Sequence, residues 1–265
     1  DSGPMTRTFL ARMQYVGGGF LGWQRQAVGR TIQGEFERVL ERLVGRRVVA
    51  HAAGRTDAGV HALGMGVSFS LPPRWDTASV ARALNGLLPS DCWVESVALM
   101  HPGFHARRSA TGRRYRYDIG TDLAAGSPFR RPYEWALCRS LDPTLLAEAA
   151  ARILGTHDFS GFAVKGEPKL HYRCTLRRAE WEARPDSAGV RLHVAADRFL
   201  HHMVRMLVGT MVDIALERRP MADVDALLVA GDNREASPPA PPQGLYFVAA
   251  DYPAECFADD TDPRT

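Results

Sequence analysis

The residues best suited to chemistry lie in one short segment, Gly54 to Ala62, which reads GRTDAGVHA. It holds one carboxylate, Asp57, and one guanidinium, Arg55, between the glycines Gly54 and Gly59. Glycine adopts left-handed dihedral angles that other residues avoid, so this pattern predicts a sharp turn that presents a fixed acidic side chain. Such a carboxylate can act as a nucleophile or a general base. An ordinary turn, in which the aspartate bonds its own backbone, is the alternative interpretation.

The elements around this segment must position it. Alternating apolar residues predict four strands in the first half of the chain, at residues 6–15, 47–53, 65–71 and 92–100. Apolar residues at helical spacing predict one helix capped by Thr31 and another that begins at Asp76. The order is therefore β-α-β-β-α-β, which is typical of a ferredoxin-like unit with an antiparallel sheet.

The second half of the chain repeats this pattern. Strands are predicted at residues 114–119, 175–182, 190–195 and 245–251, and helices at residues 145–153, 199–216 and 222–229. We therefore expect an α+β fold of two ferredoxin-like lobes, residues 5–105 and 106–253, with helices on one side of a merged, mostly antiparallel central sheet. A catalytic cleft between the lobes would receive Asp57 from the first lobe.

Composition indicates a globular protein. The 265 residues are 45% hydrophobic and 24% charged, and no apolar run approaches the ~18 residues of a membrane span. We expect a soluble, cytoplasmic protein with no membrane partner. Residues 1–4 are expected to be a cloning remnant, and residues 254–265 a mobile tail. The four cysteines include no CxxC pair, which argues against a zinc knuckle or a disulfide framework.

Arginine dominates the basic residues, because only Lys165 and Lys169 among the 33 are lysine. A GC-rich coding genome explains the total. Clustering is better evidence for function, since forked guanidinium groups suit phosphate. Five arginines lie within ten residues and predict a basic strip for nucleic acid: Arg107, Arg108, Arg113, Arg114 and Arg116.

Three further segments carry weaker signals. The glycines at 17–19 lack the spacing of a nucleotide-binding loop, and the neighbouring Phe20 and Trp23 suit either RNA or the core. The segment GTHDFSGF is interpreted as a turn after a helix, with Asp158 or Ser160 as a cap. The proline-rich residues 237–242 are interpreted as an extended surface connection.

Six segments occur in an order that resembles the TruA family of tRNA pseudouridine synthases: YVGGGFLGWQRQ, GRTDAGVHA, RYRYDI, GTHDFSGF, FLHHMVRMLVG and APPQGLYFV. The resemblance extends from Met5 to about Pro253. It implies an isomerase that converts uridine to pseudouridine in the anticodon stem-loop of tRNA, at tRNA positions 38, 39 and 40. It also implies a homodimer with a two-lobed α+β fold that uses neither a cofactor nor a metal.

The same resemblance implies roles for individual residues. Asp57 is the catalytic aspartate, and attack at C1′, attack at C6 and proton abstraction at C2′ all remain open. Arg205 is its cationic partner, which a carboxylate that must stay ionised requires. Tyr115 stacks on the target base and Leu245 packs against its other side, while Arg55 contacts the flipped nucleotide or a phosphate.

The residues themselves leave alternatives open for each of these roles. Tyr117 faces the same side of its strand as Tyr115, so only the resemblance selects between them. Arg205 can equally form a structural salt bridge, and Leu245 can be an ordinary core residue. At the level of the whole protein, a non-catalytic RNA-binding module would retain the basic strip without needing Asp57. A glycoside hydrolase or nucleosidase would require a second carboxylate flanking the bond, and the loop holds one.

Overall fold

The computed structural model describes residues 6–164, 171–230 and 232–259, and these form two compact units. The first unit contains the described residues up to Thr111 together with those from Phe247 onward. The second unit contains the described residues from Gly112 to Tyr246. The first unit is thus discontinuous, and its final segment lies in the stretch that the sequence pattern assigned to the second lobe. Residues 1–4, expected to be a cloning remnant, lie outside the described part of the chain.

The first unit combines an antiparallel sheet with two helices. Its elements are β1 (Arg7–Tyr15), α1 (Ile32–Val44), β2 (His51–Ala52), β3 (His61–Leu71), α2 (Thr77–Leu87) and β4 (Cys92–Met100). Strand β1 lies between β4 and β3, and β2 pairs with β3. The predicted cap Thr31 is confirmed, since it accepts the N–H of Gly34, and Asp76, where the second helix was predicted to begin, accepts the N–H of Ser79 as its cap. Each cap closes the first turn of its helix.

Strand β2 is shorter than the predicted strand at residues 47–53. The N–H of Ala50 donates to the carboxylate of Glu37, 3.0 Å away, and the carbonyl of Ala50 accepts from the amide of Gln33 at 3.2 Å. Both polar groups of Ala50 are therefore bonded to helix α1 and not to a neighbouring strand. Pairing in the manner of a strand begins only at His51.

The core of the first unit lies between the sheet and its helices. The rings of Phe9 and Phe69 are opposite each other in β1 and β3 and stack with centroids 5.9 Å apart. Phe36 of α1 meets Phe69 edge-on at 5.4 Å. Val80 and Leu84 of α2 are fully buried as well. Burial of these apolar side chains is the main force that holds the helices against the sheet.

Residues 254–258 are paired with the end of β4, in contrast to the mobile tail predicted from residue 254. Phe257 bridges Met100, and the N–H of Ala258 donates to the carbonyl of Leu99 at 3.0 Å. Cys256 packs with Tyr252 over a small apolar cluster around Leu10. This apolar contact explains why the segment is attached. Residues 260–265 of the predicted tail lie outside the described residues.

The second unit has a sheet in the order β5-β9-β8-β7, with β6 beside β5. Its strands are β5 (Gly112–Gly120), β6 (Trp135–Ala136), β7 (Gly155–Asp158), β8 (Arg173–Ala183) and β9 (Gly189–Ala196). It also holds the first two residues of β10 (Leu245–Asp251), which belongs to the first unit from Phe247 onward. Its helices are α3 (Pro143–Arg152), α4 (Met203–Ala215) and α5 (Ala222–Ala230). Strand β10 continues into the first unit, where it lies beside β3. No helix in the described residues is long and apolar enough to cross a membrane.

Two elements of the second unit differ from their predictions. Residues Gly155–Asp158, interpreted as a turn, form β7 and pair antiparallel with β8. The carboxylate of Asp158 accepts the N–H of Ser160 at 2.9 Å, but the N-cap position of the short 3-10 turn that follows is Phe159, so the predicted cap at Asp158 or Ser160 is wrong. Helix α4 begins at Met203, four residues later than predicted, since His202 has a left-handed φ of 62° that interrupts the helical path.

Candidate active site

Asp57 lies in the loop between β2 and β3, and backbone bonds fix the loop on both sides. The carbonyl of Thr56 accepts the N–H of Trp23 at 3.0 Å, and the carbonyl of Asp57 accepts the N–H of Val60 at 3.2 Å. Gly59 has the left-handed φ that the sequence pattern predicted, +82°, whereas Gly54 is not among the described glycines with positive φ. Of the two glycines that bracket Asp57, only Gly59 therefore has a left-handed backbone, and the predicted left-handed turn is wrong for Gly54.

Buried polar side chains hold the same loop from below the surface. The hydroxyl groups of Tyr15 and Thr56 lie 2.8 Å apart, and both residues are buried. The N–H of Gly17 donates to Nδ1 of His61, 3.0 Å away, and His61 is also buried. A nitrogen that accepts from an N–H carries no proton of its own, so His61 is held with Nδ1 unprotonated. These contacts limit the freedom of the residues that flank Asp57.

The glycine-rich segment after β1 allows its backbone to approach this loop closely. A Cβ atom on Gly22 would lie 2.6 Å from the carbonyl oxygen of Thr56, and Gly22 has a φ of +92°. A Cβ on Gly17 would lie 2.0 Å from the carbonyl oxygen of Val60. Both glycines are therefore required where two backbone segments pack against each other. These two glycines serve to position the loop.

The aromatic residues of this segment belong to the core. Phe20 is 4% exposed and Trp23 is 2% exposed. The guanidinium group of Arg30 lies over the ring of Phe20, 4.1 Å from its centroid. The alternative in which Phe20 or Trp23 stacks on RNA is therefore wrong, and the core interpretation is correct for both residues.

Arg30 ties three elements of the first unit together. Its guanidinium donates two hydrogen bonds to Asp91, of 2.6 and 2.9 Å, and one of 3.1 Å to Glu35 of α1. The bidentate bond to Asp91 raises the pKa of Arg30 above its already high usual value. Because Arg30 also stacks on Phe20, it fixes the glycine-rich segment against α1 and the start of β4.

The side chains of the loop alternate between solvent and interior. Arg55 is exposed, Thr56 is buried, and Asp57 is half-buried. Asp57 is accessible to a substrate while its neighbour Thr56 anchors the backbone.

Tyr115 and Tyr117, which pattern could not separate, have different environments in the second unit. Tyr117 is 0% exposed, and its hydroxyl donates to the carbonyl of Pro241 at 2.7 Å. Burial raises the pKa of Tyr117 well above its usual value. Tyr115 is 9% exposed and meets the ring of Phe199 edge-on, with centroids 5.0 Å apart. The hydroxyl of Tyr117 is thus committed to the fold.

Arg205 is half-buried on α4, where it holds the proline-rich segment. Its Nε donates to the carbonyl of Ala240 at 2.7 Å, and the N–H of Ala240 donates back to the carbonyl of Arg205 at 2.9 Å. Arg205 therefore bonds Ala240, and the carbonyl of the next residue, Pro241, accepts the hydroxyl of Tyr117. Ser237 and Ala240 are 4% and 2% exposed. The interpretation of residues 237–242 as a surface connection is wrong for both buried residues, because α4 and Tyr117 bind this segment to the unit.

Leu245 is buried at the start of β10, and the preceding Gly244 packs on the ring of Tyr117. A Cβ atom on Gly244 would lie 2.6 Å from Cζ of that ring. Residues 240–245 are thus fixed in position by Arg205 and Tyr117. Two predicted binding residues therefore meet this segment: Arg205 of α4 bonds its first residue, Ala240, and Leu245 is its last residue.

The predicted basic strip is only partly available to a ligand. Arg113 donates to the carbonyl of Asp197 at 3.0 Å. Arg116 lies 3.4 Å from the buried carboxylate of Asp118 and stacks over the ring of Tyr246. Arg107, Arg108 and Arg114 are exposed. Sequence clustering therefore overstated the strip, because it could not identify the arginines that stabilise the fold.

Sequence patterns did not identify the two residues that support the loop, Tyr15 and His61. Both lie inside segments that carry the family resemblance, Tyr15 at the first position of YVGGGFLGWQRQ and His61 within GRTDAGVHA. A buried polar side chain next to a catalytic loop usually has a partner. That rule would have directed attention to them, although it could not have named the partners.

Comparison with known proteins identifies the family of this chain. A family model described as tRNA pseudouridine synthase matches residues 11–106 and 149–253. These ranges contain Asp57 and its loop, and the chain belongs to the tRNA pseudouridine synthase family. The resemblance drawn from the six segments is therefore confirmed.

Individual relatives match nearly the full chain. The tRNA pseudouridine synthase A of Moorella thermoacetica is 38% identical over 242 residues, which cover 91% of this chain and 97% of that protein. The protein of the same name from Thermus thermophilus is 41% identical over 254 residues, covering 94% and 98%. That from Geobacillus kaustophilus is 39% identical over 255 residues, covering 96% and 97%.

Proposed function

We propose that this protein is an isomerase that converts uridine to pseudouridine in tRNA, with Asp57 as the catalytic carboxylate. One observation carries the proposal: a half-buried aspartate stands on a loop fixed by Tyr15, Gly22 and His61, in a chain that belongs to the tRNA pseudouridine synthase family. A carboxylate on a rigid support can be held in reacting geometry without being ordered by the substrate.

The reaction changes connectivity without changing composition. The bond between N1 of uracil and C1′ of ribose breaks, the free base rotates, C5 bonds to C1′, and the proton on C5 leaves while N1 gains one. Atoms and electrons balance within the nucleotide, so the reaction requires no oxidant, reductant or water. Asp57 acts as a nucleophile at C1′ or C6, or as a base at C2′, and each role suits a half-buried carboxylate.

The second unit supplies the base-binding residues in this proposal. Extruding a base from a helix costs a few kcal/mol, which pocket contacts must offset. Tyr115 stacks on the extruded base, a role supported by the complete burial of Tyr117, the other candidate on the same side of the strand. Leu245 packs on its other side, and Arg205 serves as the cationic partner of Asp57. Arg55, which is exposed beside Asp57, contacts the phosphate or sugar of the same nucleotide.

We extend the proposal to the site and the assembly that the family resemblance implies. The target is the anticodon stem-loop of tRNA, and the working protein is a homodimer. Apart from the short strands β6 and β7 and the helix α5, the chain from β5 to β10 follows the order β-α-β-β-α-β, as the first unit does, and this order supports two ferredoxin-like lobes.

The experiment measures tritium release from tRNA labelled at uridine C5, together with tRNA binding, for the wild type and Asp57→Asn. The matched control is Asp186→Asn, because Asp186 is an exposed aspartate in the hairpin between β8 and β9. We expect wild type and control to release tritium, and Asp57→Asn to bind tRNA normally and release none.

The main alternative is a non-catalytic RNA-binding module built from the same two units. If wild type binds tRNA and releases no tritium, this alternative is correct and the proposed activity is wrong. If Asp57→Asn releases tritium at the rate of the control, the protein is an isomerase whose catalytic group lies elsewhere. The nucleosidase alternative would release free uracil, which chromatography of the reaction products detects.

A further inference from the structure

We propose that His51 and His105 form a proton-linked phosphate-binding site for tRNA on the surface of the first unit. His105 donates a hydrogen bond to a phosphate oxygen, and His51 takes up a proton and neutralises the phosphate charge. The inference rests on the proposed function, which supplies the RNA.

The two imidazole rings are stacked. Their centroids lie 4.3 Å apart, and the ring planes are inclined by 27°. His51, the first residue of β2, is exposed, and His105 is half-buried. The residues are far apart in the chain, so the tertiary structure creates the pair. Two stacked imidazoles with an exposed member present ring N–H groups to a ligand.

The fold explains why the rings meet. His51 pairs with Ser68 across β2 and β3, and the hydroxyl of Ser68 accepts the N–H of Ala106 at 2.9 Å. This bond holds the turn that carries His105 over the edge of the sheet at His51. The turn is closed by the N–H of Ser109, which donates to the carbonyl of His105 at 2.9 Å. The pair is therefore anchored at both ends and needs little reordering to bind a ligand.

The hydrogen bonds of His105 assign the roles of the two rings. Nδ1 of His105 accepts the backbone N–H of Arg107 at 3.2 Å and that of Arg108 at 3.5 Å. Nδ1 therefore carries no proton, and the neutral ring has its proton on Nε2, a donor. Burial, together with His51, Arg108 and Arg107, lowers the pKa of His105 below its usual value. Because Nδ1 accepts these backbone N–H groups, His105 donates through Nε2, and we assign the proton taken up on binding to the exposed ring of His51.

The charged and polar groups around the two imidazole rings favour an anionic ligand. The charged arginines that act on His105 are Arg108 and Arg107, which follow it in the same turn and are exposed. The element on the other side, β3, contributes the neutral Ser68. Two guanidinium groups repel a metal cation and attract a phosphate, to which their forked donors also bind well. A bound phosphate favours the charged form of an adjacent imidazole, so binding and protonation of His51 are coupled.

The test is the affinity for unmodified tRNA at pH 6 and pH 8, measured in the Asp57→Asn background so that the bound RNA is not converted. We expect binding about tenfold tighter at pH 6 than at pH 8, as one charge-assisted contact would give. Replacing His51 by Gln should remove most of this difference. Replacing it by Arg should keep tight binding at both pH values, because the charge is then permanent.

Two measurements separate a phosphate contact from a structural effect. At pH 6, His51→Gln should reduce the slope of log affinity against log salt concentration by about one. The thermal midpoint of the variant should match that of its parent, since His51 is exposed. The matched control is His193→Gln, because His193 already lies 2.8 Å from the carboxylate of Glu182, and it should retain the pH dependence.

The outcomes distinguish this inference from the proposed function. If wild type releases tritium and His51→Gln binds tRNA like its parent at both pH values, the phosphate site is wrong and the isomerase stands. If wild type releases no tritium and His51→Gln still removes the pH dependence, the phosphate site stands and the isomerase is wrong. If His51→Arg binds no more tightly at pH 8 than its parent, charge at this position does not contact RNA and the inference fails. Proton-linked binding of an acidic peptide with no effect on tRNA would also overturn it.

Discussion

The Tyr15 hydroxyl lies 2.8 Å from Oγ1 of Thr56, a residue 41 positions later that immediately precedes Asp57. Both side chains are buried, so neither hydroxyl can exchange its partner for bulk water. The last residue of β1 thus fixes the backbone that carries the candidate catalytic carboxylate. A catalytic group needs this kind of support from residues that do not touch the substrate.

Tyr15→Phe should therefore impair catalysis more than binding. We expect a loss of about 1–3 kcal/mol in the free energy of unfolding, because the Thr56 hydroxyl is left buried without this partner. The rate of tritium release at saturating tRNA should fall, with an unchanged tRNA dissociation constant. Thr56→Val provides a double-mutant cycle, in which the double variant should be less destabilised than the sum of the single variants. Simple additivity would show that this contact does not stabilise the loop.

Gly22→Ala tests the close approach between the glycine-rich segment and the Asp57 loop. Its φ of +92° and a Cβ position 2.6 Å from the Thr56 carbonyl make alanine strained, at a cost of roughly 1–3 kcal/mol in unfolding free energy. The matched control is Gly18→Ala, because a Cβ at Gly18 meets no atom within 4 Å. Denaturant unfolding should show a change within about 0.5 kcal/mol for the control. Equal effects of the two substitutions would contradict this packing.

Tyr117→Phe should lower the stability of the protein, whereas Tyr115→Phe should leave tRNA binding unchanged. The first leaves the Pro241 carbonyl without the Tyr117 hydroxyl and should lower the unfolding free energy by about 1–3 kcal/mol. The second preserves an aromatic ring for stacking, so it should leave the dissociation constant of tRNA close to that of wild type. Tyr115→Ala should then weaken binding or slow tritium release by at least about tenfold, as loss of a stacking contact predicts. A stability loss confined to the Tyr115 variants would reverse these assignments.

Cysteine reactivity checks the interior of the first unit independently of RNA. Burial raises the pKa of Cys92 to about 12, so its reactive thiolate is scarce between pH 7 and 9. Iodoacetamide at pH 8.5 should modify the half-buried Cys256 in the native protein and spare Cys92, as peptide mass spectrometry would detect. Denaturant should expose Cys92 to the reagent. Rapid modification of native Cys92 would contradict its burial at the start of β4.

Regular elements of this protein follow closely from sequence patterns, whereas their ends often do not. The spacing in α1 and the cap residues Thr31 and Asp76 are local signals, and the helices begin where those signals predict. The start of β2 depends on Glu37, a residue of α1 that lies 13 positions before Ala50 and bonds its N–H. A period of two residues carries no information about such a competing partner, so the predicted strand was too long.

Sequence by itself determined the family and the position of Asp57 in its motif, because six segments in one order are specific without any knowledge of contacts. Only the tertiary structure decided which arginines hold the fold, that the Tyr117 hydroxyl is committed to Pro241, and that His51 stacks on His105. Those facts depend on atoms brought together from distant parts of the chain. Burial and hydrogen bonding are properties of the packed state, and no local pattern of residue types specifies them.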